Sequence, residues 1–286
     1  MTQVAAPEPT CHCCHCRVCR AEQAAREKKT EQPKPEPDYW LLARRPLACL
    51  LFLFPLLAVY EAGVIWMGGE HADQVRNGAD AWMRNLFQSA GVSFGFVVPI
   101  VVVVILVAWH LKARHSWKVS GETLMGMFAE SILFAFLLIV AGQLQNLAFE
   151  KLGNPEVPLS VRGSGEAGPL IDNPTTALAI SYVGAGIYEE ALFRLCLLPM
   201  CFGVFRVLQL NKTWAAVLSV LATSLLFSVA HHVGSSGEAF RLFPFTFRLV
   251  AGLFFAGLFL IRGFGITVGT HAIYDLLVGL LLTPTP

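Results

Sequence analysis

Seven ionisable residues of the second half of this sequence lie inside or at the ends of long apolar runs. Charged side chains are costly within a membrane and usually mark a functional site. A carboxylate and two imidazoles that converge from different helices can activate water as a general base. The same donor types can also ligate a metal ion. The seven residues are Glu189, Glu190, Arg194, His231, His232, His271 and Asp275.

Three pairs of these and neighbouring residues are spaced by four positions, which places both members on one face of a helix. The first pair joins opposite charges, the second an aromatic ring and an imidazole, and the third an imidazole and a carboxylate. The pairs are Glu190 with Arg194, Phe227 with His231, and His271 with Asp275.

The two adjacent glutamates are predicted to have different roles. Glu189 lies about 100° around the helix from Glu190, so we expect that the two do not share a partner. Glu190 and Arg194 are expected to hold the helix and the base in place. Glu189 is expected to take a proton from water, His231 to position that water, and His271 with Asp275 to complete the site.

The composition indicates a membrane protein. The chain has 286 residues, of which 55% are hydrophobic and 14% charged, whereas soluble domains average about 25% charged residues. A helix that crosses the bilayer needs about 20 apolar residues. Seven runs meet this length or approach it, and they cover 46–66, 92–111, 128–148, 175–207, 214–232, 244–261 and 265–282.

The runs predict an all-α, polytopic bundle of seven or eight membrane helices around a polar intramembrane cavity. Pro199 and Gly203 interrupt the fourth run, which is therefore one kinked helix or two. The first run is long enough to stay in the membrane rather than to act as a cleaved signal. Glu61 and Glu130 lie near run ends, where an interfacial position is expected.

Basic residues concentrate in alternate loops, which by the positive-inside rule places the N-terminus in the cytoplasm. Counting along the runs then puts His231 at the outer end of its helix and His271 in the cytoplasmic half of its own. The two can meet only if helices are broken, tilted or re-entrant. The net charge of +1 gives no indication of nucleic acid as a partner.

The three motifs resemble those of the CPBP family, the CaaX protease and bacteriocin-processing intramembrane proteases. That family has E-E-x-x-x-R, F-x-x-x-H and H-x-x-x-N/D in this order, which fall here at 189–194, 227–231 and 271–275. The match lies within residues 175–282. The family includes the eukaryotic type II CaaX prenyl endopeptidase and many bacterial proteins, and we expect this chain in a bacterial plasma membrane.

The resemblance implies an intramembrane (metallo)endopeptidase that hydrolyses a membrane-associated protein or peptide in the lipid bilayer. Water is activated by Glu189 alone or with zinc, for which Glu189, His231 and His271 are the candidate ligands. Two rival interpretations remain. One is a transporter or proton relay, for which acid and histidine chains are typical. The other is a catalytically silent scaffold or immunity-type protein on the same fold.

Residues 1–38 are predicted to form a disordered cytoplasmic tail ahead of a transmembrane protease domain at 39–286. Alternating prolines at Pro33, Pro35 and Pro37 favour an extended chain. The tail also carries a dense group of soft ligands, so a small zinc or copper site is one hypothesis. The alternative is an unstructured reactive tail. The candidate tail ligands are Cys11, Cys13, Cys16 and Cys19.

Overall fold

The computed structural model describes residues 38–69, 72–153, 174–233 and 237–282. These residues form helices and turns without any strand, which confirms the all-α prediction. From Tyr39 onward they belong to one compact unit. The tail, with its candidate metal ligands, lies outside the described residues, and its role stays a prediction.

Two of the described helices continue into π-helical segments. The bounds are α1 Tyr39–Ala43, α2 Pro46–Gly68, α3 Ala72–Val75, α4 Gly78–Ser89, α5 Val97–Ala113, α6 Gly121–Lys151, α7 Pro174–Glu190, a first π segment Ala191–Leu197, α8 Leu198–Val207, α9 Lys212–Ala230, α10 Leu242–Arg262, α11 Phe264–Leu276 and a second π segment Leu277–Leu282.

Five of the described helices are long and apolar enough to cross a membrane, namely α2, α6, α9, α10, and α11 with its continuation to Leu281. Many large apolar side chains on these helices face outward, as Trp66 on α2 and Leu133 on α6 do. Such a surface is suited to lipid and not to water. The chain is therefore an integral membrane protein, whereas the count of seven or eight helices and the orientation stay predictions.

The fourth apolar run forms one continuous helical path from Pro174 to Val207. Pro199 does not break it, because this proline lies in the first turn of α8, where proline is tolerated. The departure from regular α-helix comes earlier, in the π segment that begins directly after Glu190. Segments of this kind often occur at functional sites.

Helix α11 lies at the centre of the bundle and packs against α2, α6, α7 and α10. All of its residues are buried except Ile273 and Leu276. At Gly186 on α7, a Cβ atom would come within 2.7 Å of the Ala272 backbone nitrogen. The glycine therefore allows the backbones of α7 and α11 to approach closely, as small residues do between membrane helices.

A buried ion cluster joins α2 to α4. Asp80 is fully buried, and its two oxygens accept bonds from Arg84 Nε at 2.7 Å and from Arg76 Nη1 at 2.9 Å. The same two guanidinium groups contact the carboxylate of Glu61, at 3.3 and 3.1 Å. The two carboxylates and the two guanidinium groups therefore neutralise one another's charge at a buried position. An unpaired charge would be costly there.

The cluster extends to the end of α7 through tyrosines. The hydroxyl of Tyr188 donates to Glu61 Oε1 at 2.5 Å, and the ring of Tyr188 packs edge-on against Tyr60 at 5.1 Å. Tyr60 in turn donates to Asp80 at 3.1 Å. These partners allow Glu61 to be buried within the protein, and its expected position near the membrane interface stays a prediction.

Glu130 also has a structural partner that the sequence analysis did not identify. Arg262 donates to both of its carboxylate oxygens at 2.7 Å, and the guanidinium lies 3.7 Å from the centre of the Trp40 ring. Arg262 is almost fully buried. This two-bonded pair fastens the end of α10 to α6.

The fold predicts that Asp80→Asn destabilises the protein strongly. The change leaves Arg76 and Arg84 buried without half of their compensating charge, which costs about 3–5 kcal/mol for a broken buried pair. Asp38→Asn is the matched control, because Asp38 is exposed and surface changes cost within about 0.5 kcal/mol. Thermal unfolding of both variants in detergent measures the difference, and equal midpoints would contradict this account of the cluster.

Candidate functional site

The two adjacent glutamates occupy the last turn of α7, immediately before the first π segment. Tyr188, which precedes them, is tied to Glu61. The side chain of Asn77 lies near the Glu189 carboxyl. Asn77 is itself fixed as the N-cap of α4, where it accepts a bond from Ala79 N at 2.9 Å. The end of α7 is thus held by residues of the first half of the chain.

Glu189 lies between the two histidines of the other motifs. Its Oε2 atom is 3.7 Å from His231 Nε2 and 3.9 Å from His271 Nε2. Both distances exceed a direct hydrogen bond, so Glu189 faces both imidazoles without being bonded to either. The site thus combines one carboxylate and two imidazoles from three helical segments, as the sequence analysis expected.

His231 is oriented by its own helix. Its Nδ1 atom lies 2.8 Å from the carbonyl oxygen of Phe227, and the Phe227 ring packs against the imidazole at 5.0 Å. A carbonyl oxygen only accepts, so Nδ1 is the nitrogen that carries the proton. In the neutral imidazole, Nε2 then presents a lone pair toward Glu189.

His271 is held from three directions. Its Nδ1 atom is 2.8 Å from Glu190 Oε1, and its Nε2 atom is 3.4 Å from Asp275 Oδ2. The ring stacks on Phe255 with the centroids 4.5 Å apart and the planes 17° from parallel. The imidazole therefore has little freedom to turn, and its Nε2 edge stays directed at the space beside Glu189.

Arg194 occupies a fully buried position behind the two acids. Its Nε atom lies 3.1 Å from Glu190 Oε2, and Nη2 donates to the Gly252 carbonyl at 3.2 Å. The guanidinium also lies 4.6 Å from the centre of the Phe227 ring. Glu190 thus uses one oxygen for Arg194 and the other for His271.

The shared contact corrects one prediction. The two glutamates were expected to face different partners because they are adjacent on a helix. Instead, His271 lies between them, with Nδ1 toward Glu190 and Nε2 toward Glu189. A five-membered ring with two nitrogens is wide enough to meet two neighbouring side chains at opposite edges.

The structure also shows how residues at apparently different depths meet. His231 follows nineteen residues of α9, or about 28 Å of helix, whereas His271 follows seven residues of α11, or about 10 Å. The two helices therefore begin at different distances from the site.

Several residues around the site were not identified from the sequence. Asn77 and Phe255 lie in segments without a recognisable motif. Glu61 gave a signal, since it is an acid within an apolar run, but its arginine partners follow in a separate polar stretch. His232 was grouped with the ionisable cluster, and its Nδ1 atom contacts the Glu238 carbonyl at 3.0 Å instead of the reacting groups.

Comparison with known families bears on the interpretation of these motifs. Residues 172–277 match the family model described as type II CAAX prenyl endopeptidase Rce1-like. These residues form an Rce1-like domain. The domain includes all three motifs and agrees with the resemblance stated from the sequence. No curated protein and no solved structure matches the chain.

The Rce1-like domain does not contain every residue that holds the site. Its bounds include the helical path from α7 to α11, but they exclude α2 and α4. Glu61 and Asn77 therefore lie outside the family match, although Glu61 accepts a bond from Tyr188 and Asn77 lies near Glu189.

Glu190→Gln is predicted to lower stability much more than Glu189→Gln does. The first change removes the charge that faces the buried guanidinium of Arg194, at a cost of about 3–5 kcal/mol. Glu189 has no arginine within ion-pair distance among the described residues, so its substitution leaves no uncompensated base. Thermal unfolding of the two variants in the same detergent tests this. Equal losses would show that Glu190 is not the structural member of the pair.

Proposed function

We propose that this chain is an intramembrane endopeptidase in which Glu189 activates the attacking water. The Rce1-like domain supports a membrane endopeptidase of the CAAX-processing type. A CAAX sequence is a C-terminal motif whose cysteine is prenylated, so the substrate is a membrane-associated protein or peptide. The observation that carries the proposal is the placement of Glu189 between His231 and His271.

Peptide hydrolysis requires a deprotonated water and a polarised carbonyl at the same time. In the proposed reaction, Glu189 takes one proton from water while the Nε2 lone pair of His231 accepts a hydrogen bond from the other. The resulting hydroxide attacks the carbonyl carbon, and the carbonyl oxygen takes up the negative charge. When the C–N bond breaks, the leaving amine receives the proton from Glu189.

His271 is placed to stabilise the oxyanion of this intermediate. In its protonated form the imidazole has two N–H groups, of which one is bonded to Glu190 and the other faces the reacting centre. Asp275 lies 3.4 Å from the same Nε2 atom and helps to orient it. A donor held in place before the reaction stabilises developing charge without a cost of reorganisation.

A metal ion does not enter this scheme. Among the described residues, no group of three or more His, Cys, Asp or Glu side chains is arranged to hold a metal. Glu189 Oε2 and the two Nε2 atoms are 3.7 and 3.9 Å apart, which is wider than the roughly 3.3 Å between ligands bound tetrahedrally at about 2.0–2.1 Å. We therefore assign no step to a metal.

Glu189→Gln is predicted to abolish cleavage without loss of folded protein. Removal of a general base typically costs about 10²- to 10⁴-fold in rate, because glutamine cannot accept the proton of water. The measurement is cleavage of a peptide with a prenylated CAAX end by protein in liposomes. Glu122→Gln, which alters an exposed acid at the start of α6, is the matched control. Substantial cleavage by Glu189→Gln would rule out the proposed role.

The metal content is predicted to be independent of the membrane site. Elemental analysis compares the full-length protein with a full-length variant whose five tail cysteines are serine. We expect any stoichiometric zinc or copper to be lost in that variant while cleavage is retained. One tightly held zinc that stays in the variant, with activity lost on its removal and restored on its return, would overturn the metal-free mechanism. Absence of metal from the wild-type protein would remove the tail-site hypothesis.

A further inference from the structure

Arg248 on α10 is a partly buried cation that the proposed reaction does not use. Its Nη2 atom donates to Glu238 Oε1 at 2.7 Å. Its Nη1 atom is buried and has no hydrogen-bond partner among the described residues. A buried donor of a charged group is costly to leave unsatisfied. The free N–H groups therefore indicate a place where an acceptor binds.

Arg248 lies beside the candidate active site. Its ion-pair partner Glu238 donates its backbone N–H to the carbonyl oxygen of His231 at 2.9 Å. Tyr274 follows His271 by three residues, and its ring stacks with Phe247 at 6.0 Å. The buried hydroxyl of Tyr274 also lacks a partner among the described residues. Two buried donors without partners among the described residues thus occur on the helices that carry or contact His271.

This side is also where the site is accessible. The side chain of Glu190 is fully buried and that of His271 is 6% exposed. Exposure rises to 26% at His231 and to 33% at Glu238, which pairs with Arg248. A substrate that reaches Glu189 from the accessible side therefore passes Arg248.

The distance along α10 relates Arg248 to the reacting centre. Phe255, which stacks on His271, follows Arg248 by seven residues. Seven residues are two turns, so both side chains lie on one face, about 10 Å apart along the axis. An extended peptide advances about 3.3–3.6 Å per residue. A group bound at Arg248 is therefore separated by about three extended residues, measured along α10, from the level of Phe255 and His271.

We propose that Arg248, assisted by the hydroxyl of Tyr274, binds the free C-terminal carboxylate of the substrate. A carboxylate has only acceptor atoms, and the planar guanidinium is the side chain best matched to it. Glu238 holds the guanidinium in place through Nη2 and leaves Nη1 for the ligand. This inference rests on the proposed function and adds the anchor that sets where the chain is cut.

The test compares two peptides with the same prenylated CAAX sequence, one ending in a carboxylate and the other in a carboxamide. For the wild-type protein in liposomes, we expect kcat/KM to be about 10- to 100-fold lower for the amide, as for loss of a charge-assisted hydrogen bond. In Arg248→Gln, the ratio of kcat/KM for the acid to kcat/KM for the amide should fall to about one, whatever the absolute rate of the variant. Glu238→Gln, which keeps the guanidinium, should retain the preference for the acid.

Equal cleavage of the two peptides by the wild-type protein would overturn the proposal, and this comparison needs no variant to fold. An unchanged acid preference in Arg248→Gln would overturn it as well. If the folded wild-type protein cleaves neither peptide, the proposed function itself fails. Cleavage of both peptides at one rate removes only the carboxylate subsite.

Discussion

The site depends on the carboxylate of Glu190 and its use of both oxygens. One oxygen neutralises Arg194 within the first π segment, and the other fixes the imidazole of His271 on α11. The carboxylate of Glu190 and the guanidinium of Arg194 are both shielded from water, so each requires the opposite charge of the other. Because one side chain meets both needs, the helix that carries Glu189 and the helix that carries His271 are held at a defined separation.

The remaining structure supports that connection from two sides. Helix α11 is buried along nearly its whole length, and Gly186 lets α7 approach its backbone. On the other side, the neutral cluster around Asp80 fastens Tyr188 and brings Asn77 to Glu189. The catalytic glutamate of the proposed mechanism is therefore supported by polar residues on one side and faces the two histidines on the other.

Much of this arrangement could be predicted from the sequence, for identifiable reasons. Long apolar runs require helices in lipid, because backbone groups there have no other partners. Spacing by four residues predicted the Glu190–Arg194 pair and the ring of Phe227 against His231, since both depend on geometry within one helix. Contacts between distant segments, such as Tyr188 with Glu61, have no such local signature. The shared contact of both glutamates with His271 was missed for the same reason.

The position of the Asp80 cluster has a consequence for the modularity of the chain. The family match begins at residue 172. The residues that support the end of α7 from the first half of the chain belong to α2 and the start of α4, more than eighty residues earlier. A graft of the matched segment onto another membrane bundle would carry the reactive groups without Glu61 and Asn77. Tyr188 would then present an unsatisfied hydroxyl in an apolar setting. The segment that the family model matches and the full set of segments that support the site are thus different stretches of sequence.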